Sequence, residues 1–283
     1  MRHVFKFLYL VRIHNLFIAS LCVYVASFLL ELSIDYNFFI CLLVVLATMA
    51  LGYIMNDILD IKSDKINHSK RPLVNEKIKP GLLVFIIFIL LFILVFCSFK
   101  LNNIALCFLC CFVLPSLFFY NYFLKKTPLA GNIVISCLLG SVFVFTEMAL
   151  IGTMYKLYIP FILTVCFSIS REMIKDMADY DGDLSVNMVT LPVFIGMKNM
   201  RVVIVGWILC LMFILIIPYF FYNYSYEYLL FLILFIEIPL IYSLFLLIKF
   251  PTKKTYKRLS IIFKALCVSG LFAIMISKIN LYV

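Results

Sequence analysis

Two short stretches of the chain carry carboxylates at the same spacing. The first is Asn56-Asp57-Ile58-Leu59-Asp60-Ile61-Lys62-Ser63-Asp64, and the second is Asp176-Met177-Ala178-Asp179-Tyr180-Asp181-Gly182-Asp183. Aligned on their aspartates, both read D-x-x-D-x-x-x-D. Positions i, i+3 and i+7 lie on one stripe of an α-helix, so each stretch predicts three carboxylates on one face. Like charges held side by side repel, and their burial is costly unless cations neutralise them. Oxygen-only donors suit a hard divalent ion, Mg²⁺ rather than zinc. The candidate metal ligands are therefore Asp57, Asp60 and Asp64 in the first cluster and Asp176, Asp179 and Asp183 in the second.

Two clusters of this kind fit a diphosphate whose oxygens are shared among the ions. Asn56 adds a neutral oxygen or donor, and Lys125, Lys126 and Arg171 or Lys175 are the cations available to the diphosphate itself. With the diphosphate held, the C–O bond of an allylic prenyl diphosphate can break, the charge growing on the leaving group being met by metal and cations. On this reading Asp60, Asp64, Asp179 and Asp183 carry the catalysis. The allylic cation needs a dry, apolar pocket. The 30 Phe and 17 Tyr of the chain can furnish one, although most such rings serve ordinary packing.

The elements that must position these residues are membrane helices. The 283 residues are 66% hydrophobic and 13% charged, with a mean hydropathy of +1.15, a balance outside that of soluble domains. Apolar segments fall at roughly 14–31, 37–56, 81–99, 101–122, 130–150, 157–173, 199–221, 227–249 and 259–280. Each is close to the ~20 residues that a helix needs to cross a bilayer, and none shows the alternation of barrel strands. The first, with its basic flank, is read as a retained span rather than a signal peptide. The chain is expected to be an all-α membrane protein with nine transmembrane helices around a central cavity.

Nine spans put every Lys and Arg except Lys100, Lys156 and Lys278 on one side. The positive-inside rule makes that side cytoplasmic. It then holds the N-terminus and both acidic stretches, with the C-terminus opposite, in a multi-pass protein of the cell membrane. The net charge of +10 reads as topology and attraction to membrane lipid, not as nucleic-acid binding, and no obligatory protein partner is evident. The ten cysteines sit almost entirely in apolar runs and read as packing residues; Cys107, Cys110 and Cys111 lack His or acidic neighbours. His3, His14 and His68 are scattered, which argues against a histidine metal site. Glu147 and Glu237 lie inside apolar segments and are functional candidates by that position.

The paired motifs, with Arg71-Pro72 after the first and Tyr120-Asn121-Tyr122-Phe123-Leu124-Lys125-Lys126 between them, resemble the UbiA superfamily of intramembrane prenyltransferases. The resemblance runs from Arg12 and Asn15 in the first segment to the last span, and implies a single prenyltransferase domain over residues 1–283. It implies nine helices around a cavity, cytoplasmic acidic loops that bind Mg²⁺ and diphosphate, and a lateral opening for lipid. The family's Tyr-x-x-x-Lys feature maps to Tyr122 and Lys126, with Tyr120 and Lys125 an equally good register. Arg12, Asn15 and Tyr122 join the substrate-binding candidates on this basis.

Arg171-Glu172-Met173-Ile174-Lys175-Asp176, Asp181-Gly182-Asp183, Thr190-Leu191-Pro192 and Gly131-Asn132 resemble the digeranylgeranylglyceryl phosphate synthase branch. That branch implies a geranylgeranyl diphosphate donor and the hydroxyl of geranylgeranylglyceryl phosphate as lipophilic acceptor. Leu184-Ser185-Val186-Asn187 departs from relatives that carry a basic residue before Thr-Leu-Pro, which leaves aromatic acceptors of quinone or tetrapyrrole biosynthesis open. A transporter with an acidic vestibule is the reading of another class. It is disfavoured because its ion ligands usually sit near the bilayer midplane on broken helices.

Overall fold

Runs of ~20 apolar residues leave the backbone no water to bond in lipid, so they satisfy their own N–H and C=O groups by forming helices. The computed structural model describes residues 7–69, 71–75 and 78–279. Of the charged residues weighed above, Arg2, Lys6, Lys70, Glu76 and Lys77 lie outside them, as does His3. The described residues form helices joined by short turns: α1 (Ile13–Leu29), α2 (Tyr36–Leu59), α3 (Ile61–Asn67), α4 (Pro80–Ser98) and α5 (Asn103–Tyr122). Then come α6 (Ala130–Ile151), α7 (Tyr158–Ser185), α8 (Leu191–Phe221, broken at Gly196), α9 (Tyr226–Lys249) and α10 (Lys253–Ile279).

All nine apolar segments fall on helices, but a count of nine is not what the fold shows. Among the described residues seven helices are long and apolar enough to cross a membrane: α2, α4, α5, α6, α8, α9 and α10. The apolar α1 has only 17 residues. The 28-residue α7 is charged from Arg171 onward, and α3 is a short extra element. Local chemistry sets the ends. The Asp35 side chain caps α2 by accepting from Phe38 N–H at 3.0 Å, and Asn102 caps α5 through Ala105 N–H at 2.9 Å. Proline opens α4 and α8, where its missing N–H costs nothing.

Two departures from plain helix matter for the site. α2 stops at Leu59, and Asp60 (φ −96°, ψ 7°) turns the chain before α3 begins. The first acidic stretch is thus not one continuous stripe, as its spacing predicted. The second stretch is helical, as its spacing predicted, and extends α7 three turns beyond its apolar part rather than forming the acidic loop that the resemblance implied. In α5, a π turn at Leu109–Val113 precedes Pro115. The extra residue of a π turn shifts the face of everything after it.

Packing divides the bundle. One apolar core joins α1, α2, α4, α5 and α6 with Leu271 and Ile274 of α10, and a second joins α7, α8, α9 and the rest of α10. α7 packs against α6, α8 and α10, and α1 bridges to α6 and α10. Glu147, buried at the end of α6, accepts from Thr153 Oγ1 at 2.6 Å and from Tyr155, Lys156 and Leu157 N–H at 2.8–2.9 Å. It braces the α6–α7 turn, which accounts for an acid in an apolar segment.

On the charged side, Asn67 at the end of α3 bolts onto α7. Its Nδ2 donates to Asp179 O at 2.7 Å and its Oδ1 accepts from Gly182 N–H at 3.2 Å. The approach is so close that a Cβ at position 182 would overlap the Asn67 amide group. Gly182→Ala is expected to destabilise the protein by about 1–3 kcal/mol, the range for disrupting buried hydrogen bonds. In an Asn67→Ala background the same change should cost far less, because the clashing group is gone. Thermal unfolding of the four proteins checks this, and simple additivity would contradict it.

Candidate active site

The break at Asp60 and the continuous α7 bring both acidic clusters to one cavity of about 190 Å³. Its wall includes Asn56, Asp60 and Asp64 from α2 and α3 and Asp176, Asp179 and Asp183 from α7. Asp176, Asp179 and Asp183 keep the spacing of one helical stripe and reach the cavity together. Asp57 is buried behind it, where its Oδ1 accepts from Arg12 Nη2 and from Arg71 Nη1 at 3.1 Å. Asp57 therefore orients two arginines that do line the cavity rather than facing it.

The first cluster is threaded by fixed cations. Arg71 bonds both Asp57 and Asp64. Lys125 Nζ donates to Asn56 Oδ1 at 2.7 Å and also bonds Asp60. Lys125 sits on a 3₁₀ turn, Leu124–Lys126, seated against the start of α6. A Cβ at Gly131 would come within 2.7 Å of Leu124 O, so a residue without one is needed for that seating. The register left open by the sequence resolves in space. Tyr120 (8% exposed) and Lys125 line the cavity, whereas Tyr122 (44% exposed) and Lys126 do not. Tyr122, expected on the cavity wall, packs its ring on Phe118 at 4.5 Å instead. Residues two apart on a helix face nearly opposite ways, so only one tyrosine of the pair can reach the cavity.

The second cluster has weaker partners. Asn132 Nδ2 donates to Asp176 Oδ2 at 2.8 Å, and Lys175 lies 3.7 Å from Asp176 and 3.1 Å from Glu172. His68 Nε2 is 3.1 Å from Asp179 Oδ1, and Thr190 donates to Asp183 Oδ2 at 3.3 Å. Burial, with Glu172 and Asp179 adding to it, pushes the Asp176 carboxyl up to about 6 against Lys175 and Asn132. Burial, then Asp176 and Asp179, push Asp183 up to about 7. Burial acts the same way on Asp179, but His68 and Lys175 outweigh it and hold that carboxyl below its ordinary range. Burial also raises Asp64, against the pull of Arg71.

Arg12, Asn15, Arg171 and Lys175 also reach this cavity. Arg12 stacks over the Tyr53 ring at 4.9 Å, and Arg171 pairs with Glu172 at 3.2 Å. Sequence reasoning gave no site role to Asn67 or His68, and it quoted Arg71, Asn132, Glu172 and Thr190 as motif residues without assigning them one. The i+4 step from Asp64 to His68 and the i+7 step to Arg71 were signals for two of them. Glu237, in a π turn of α9, lines neither this cavity nor its neighbour.

The donors fit a hard divalent cation in type: all are oxygens, and the crowded Asp176 and Asp183 carboxyls are those a cation would relieve. No three acidic, His or Cys groups converge closely enough among the described residues to hold an ion by themselves. An ion here needs ligands from both clusters or oxygens from a bound phosphate.

An apolar helical bundle around one carboxylate-lined cavity defines a membrane-embedded class of protein. The model of the UbiA prenyltransferase family matches residues 16–268, and the chain belongs to that family and is a prenyltransferase. It is 29% identical over 257 residues to digeranylgeranylglyceryl phosphate synthase of Methanococcus maripaludis, covering 89% of this chain and 90% of that one. A solved structure from work on digeranylgeranylglyceryl phosphate synthase in membranes superposes with a TM-score of 0.73 at 28% identity, covering 99% and 100% of the two chains. A UbiA homologue from Archaeoglobus fulgidus bound to GPP and Mg²⁺ shares the fold, with a TM-score of 0.65 at 16% identity over 95% and 99% of the chains.

Asp176 and Asp183 set a pH dependence for the metal-free protein. Their carboxyls keep protons up to about 6 and about 7 in the fold, whereas an unfolded aspartate releases its proton near ~4. In that window the folded state binds more protons than the unfolded one, so stability falls as pH rises from about 4 through about 7. With a chelator present, Tm should be higher near pH ~5.5 than near ~7.5, and Asp183→Asn should shrink the difference. A Tm that rises across the window in both proteins contradicts these shifts.

Proposed function

We propose that this protein transfers a prenyl group, in a Mg²⁺-dependent reaction, from geranylgeranyl diphosphate to the hydroxyl of geranylgeranylglyceryl phosphate. The observation that carries the reading is the convergence of both acidic clusters and Lys125 on one cavity. Similarity to digeranylgeranylglyceryl phosphate synthases over most of the chain supports the donor and acceptor, and the homologue bound to GPP and Mg²⁺ supports the metal.

Asn56, Asp60 and Asp64 on one wall and Asp176, Asp179 and Asp183 on the other would hold the metal. Bound Mg²⁺ supplies charge to the diphosphate as it leaves. Lys125 and Arg71 are held at the cavity by carboxylates and are positioned to exchange part of that contact for phosphate oxygens. Val44, Val45, Leu109, Val113 and Leu138 line the same cavity and keep water from the allylic carbon. The C1–O bond to the diphosphate breaks with its electron pair leaving on oxygen, and the acceptor oxygen bonds to C1. The hydroxyl proton passes to the released diphosphate, the strongest base formed in the step. We further infer nine membrane crossings in one domain, with the acidic mouth and N-terminus on the cytoplasmic side of the cell membrane, from the distribution of Lys and Arg.

Pyrophosphate release from geranylgeranyl diphosphate, with and without Mg²⁺, tests the reading. Asp179→Ala should abolish turnover while leaving the fold intact, and substantial remaining activity would sink the two-cluster site. Lys125→Ala should cost about 10²-fold in kcat, the scale of removing one group that stabilises developing charge. Lys126→Ala should cost little. The reverse order would move the phosphate-binding lysine to Lys126.

A further inference from the structure

A second cavity, of about 100 Å³, adjoins the first. Its lining is mostly apolar and includes Leu163 and Phe167 of α7, Leu215 of α8, Leu232 of α9, and Leu271 and Ile274 of α10. Asn15, Tyr53 and Arg171 belong to the walls of both cavities.

Positive charge gathers at the polar end of this second chamber, with Arg171 on its wall and Lys264 one helical turn before Cys267, outside the lining of both cavities. On α10, Lys264, Cys267, Leu271 and Ile274 follow one helical stripe, and the last three line the chamber. Lys264 heads that stripe. It is half-buried and has no hydrogen bond or ion pair among the described residues. The charged groups that act on it most strongly are Arg171 and Arg12, and the carboxylate that opposes them is Glu172. Glu172 is already engaged by Arg171 at 3.2 Å and Lys175 at 3.1 Å. Arg12 is committed to Asp57. Arg171 and Lys264 therefore share too little negative charge for a half-buried place, a cost that a bound anion removes.

The levels along the helices agree. On α7 the order is Leu163, Phe167, Arg171 and then the acidic cluster. α10 runs the opposite way, and its start meets the end of α7 through the Lys253–Asp181 ion pair. Arg171 and Lys264 thus sit between the carboxylates and the apolar chamber. Beside them, Asn15 Oδ1 is buried without a hydrogen-bond partner on the shared wall.

We propose that Arg171 and Lys264 bind the phosphate monoester of a single-chain lipid acceptor whose tail fills the second chamber, and that Asn15 Oδ1 accepts a hydrogen bond from its nucleophilic hydroxyl. This rests on the prenyl-transfer reading above and assigns the two substrates to two chambers, with separate anion sites. Asn15 is a positioning residue for the hydroxyl. An amide oxygen orients the O–H but does not keep the proton, which goes to the released diphosphate as before.

The test uses the full-length protein in lipid nanodiscs with Mg²⁺ and geranylgeranyl diphosphate. Acceptors are geranylgeranylglyceryl phosphate and its dephosphorylated form, geranylgeranylglycerol. The wild type should prefer the phosphate in kcat/KM. Lys264→Gln should reduce that preference by about tenfold, the scale of one charge-assisted hydrogen bond, and Lys264→Arg should retain it. A wild type without preference, or an unchanged ratio in Lys264→Gln, overturns the proposal. A second measurement does not need turnover. Geranylgeranylglyceryl phosphate alone, without Mg²⁺ or donor, should raise the Tm of the wild type and raise that of Lys264→Gln less. No shift in the wild type, or an equal shift in the two proteins, overturns the site. A Lys264-dependent shift in a protein that transfers nothing would remove the prenyl-transfer reading and leave the anion site standing.

Discussion

The structure depends on how an apolar bundle tolerates several carboxylates around one small space. Each carboxylate taken out of water costs several kcal/mol unless charge or hydrogen bonds replace the lost hydration. The two clusters meet that cost differently. Asp57, Asp60 and Asp64 are paired with Arg12, Arg71 and Lys125, contributed from three other parts of the chain. Asp176 and Asp183 have no close ion pair, only hydrogen bonds from Asn132 and Thr190 and the more distant Lys175, and burial beside neighbouring carboxylates makes them resist ionisation. The α7 side of the cavity is therefore where an added cation gains most. The α2–α3 side already holds the cations that an anion could recruit. That asymmetry would be absent if both clusters were solvated acidic surface.

The backbone serves this electrostatic arrangement. Had α2 continued through Asp64, its three aspartates would have shared one stripe with no break between them. The turn at Asp60 separates Asp57, which faces the arginines, from Asp60 and Asp64, which face the cavity. The short α3 is then held at a fixed distance from α7 by Asn67, through two hydrogen bonds that only a glycine at position 182 admits. Gly131 does the equivalent for the turn that carries Lys125. Membrane helices have little hydrophobic drive to associate with one another, so close approach at small residues and interhelical hydrogen bonds decide the spacing. In this chain those devices sit where spacing controls distances between charges.

Much of this was legible in the sequence, and the rest was not for identifiable reasons. Hydropathy located the apolar segments because lipid forces long apolar runs into helices. The duplicated aspartate spacing pointed to one site because two matched clusters in so apolar a chain have few other uses. The helical stripe of the second stretch was readable, but its continuity with the apolar segment ending near 173 was not, because a polar stretch after an apolar one looks like the start of a connection, when here α3, α6 and the cavity cover it. Tyr122 and Lys126 could not be told from Tyr120 and Lys125, since both pairs are compatible with a helix. The π turn that rotates the end of α5 leaves no local signature beyond the following Pro115. Asn132 and Thr190 stood out as motif residues, but their bonds to Asp176 and Asp183, like that of His68 to Asp179, could not be read, because a hydrogen bond between separate segments has no one-dimensional trace.

The shared wall between the two cavities bears on how such a reaction avoids water. An allylic cation is captured by whatever nucleophile is nearest, so the acceptor must be in place before the C–O bond breaks. A single chamber would make the two lipid tails compete for the same volume and leave the order of binding to chance. Under the proposed assignment, two chambers whose shared wall includes Asn15, Tyr53 and Arg171 would let each tail occupy its own apolar space, so that only the reacting ends approach each other. The shared wall carries an amide, a phenol and a guanidinium beside Leu139, Val142 and the Met49 thioether. Arg171 belongs to the same helix as Asp176, Asp179 and Asp183. Under the proposed assignment, one continuous helix therefore carries both the carboxylates beside the donor's diphosphate and the arginine beside the acceptor's phosphate.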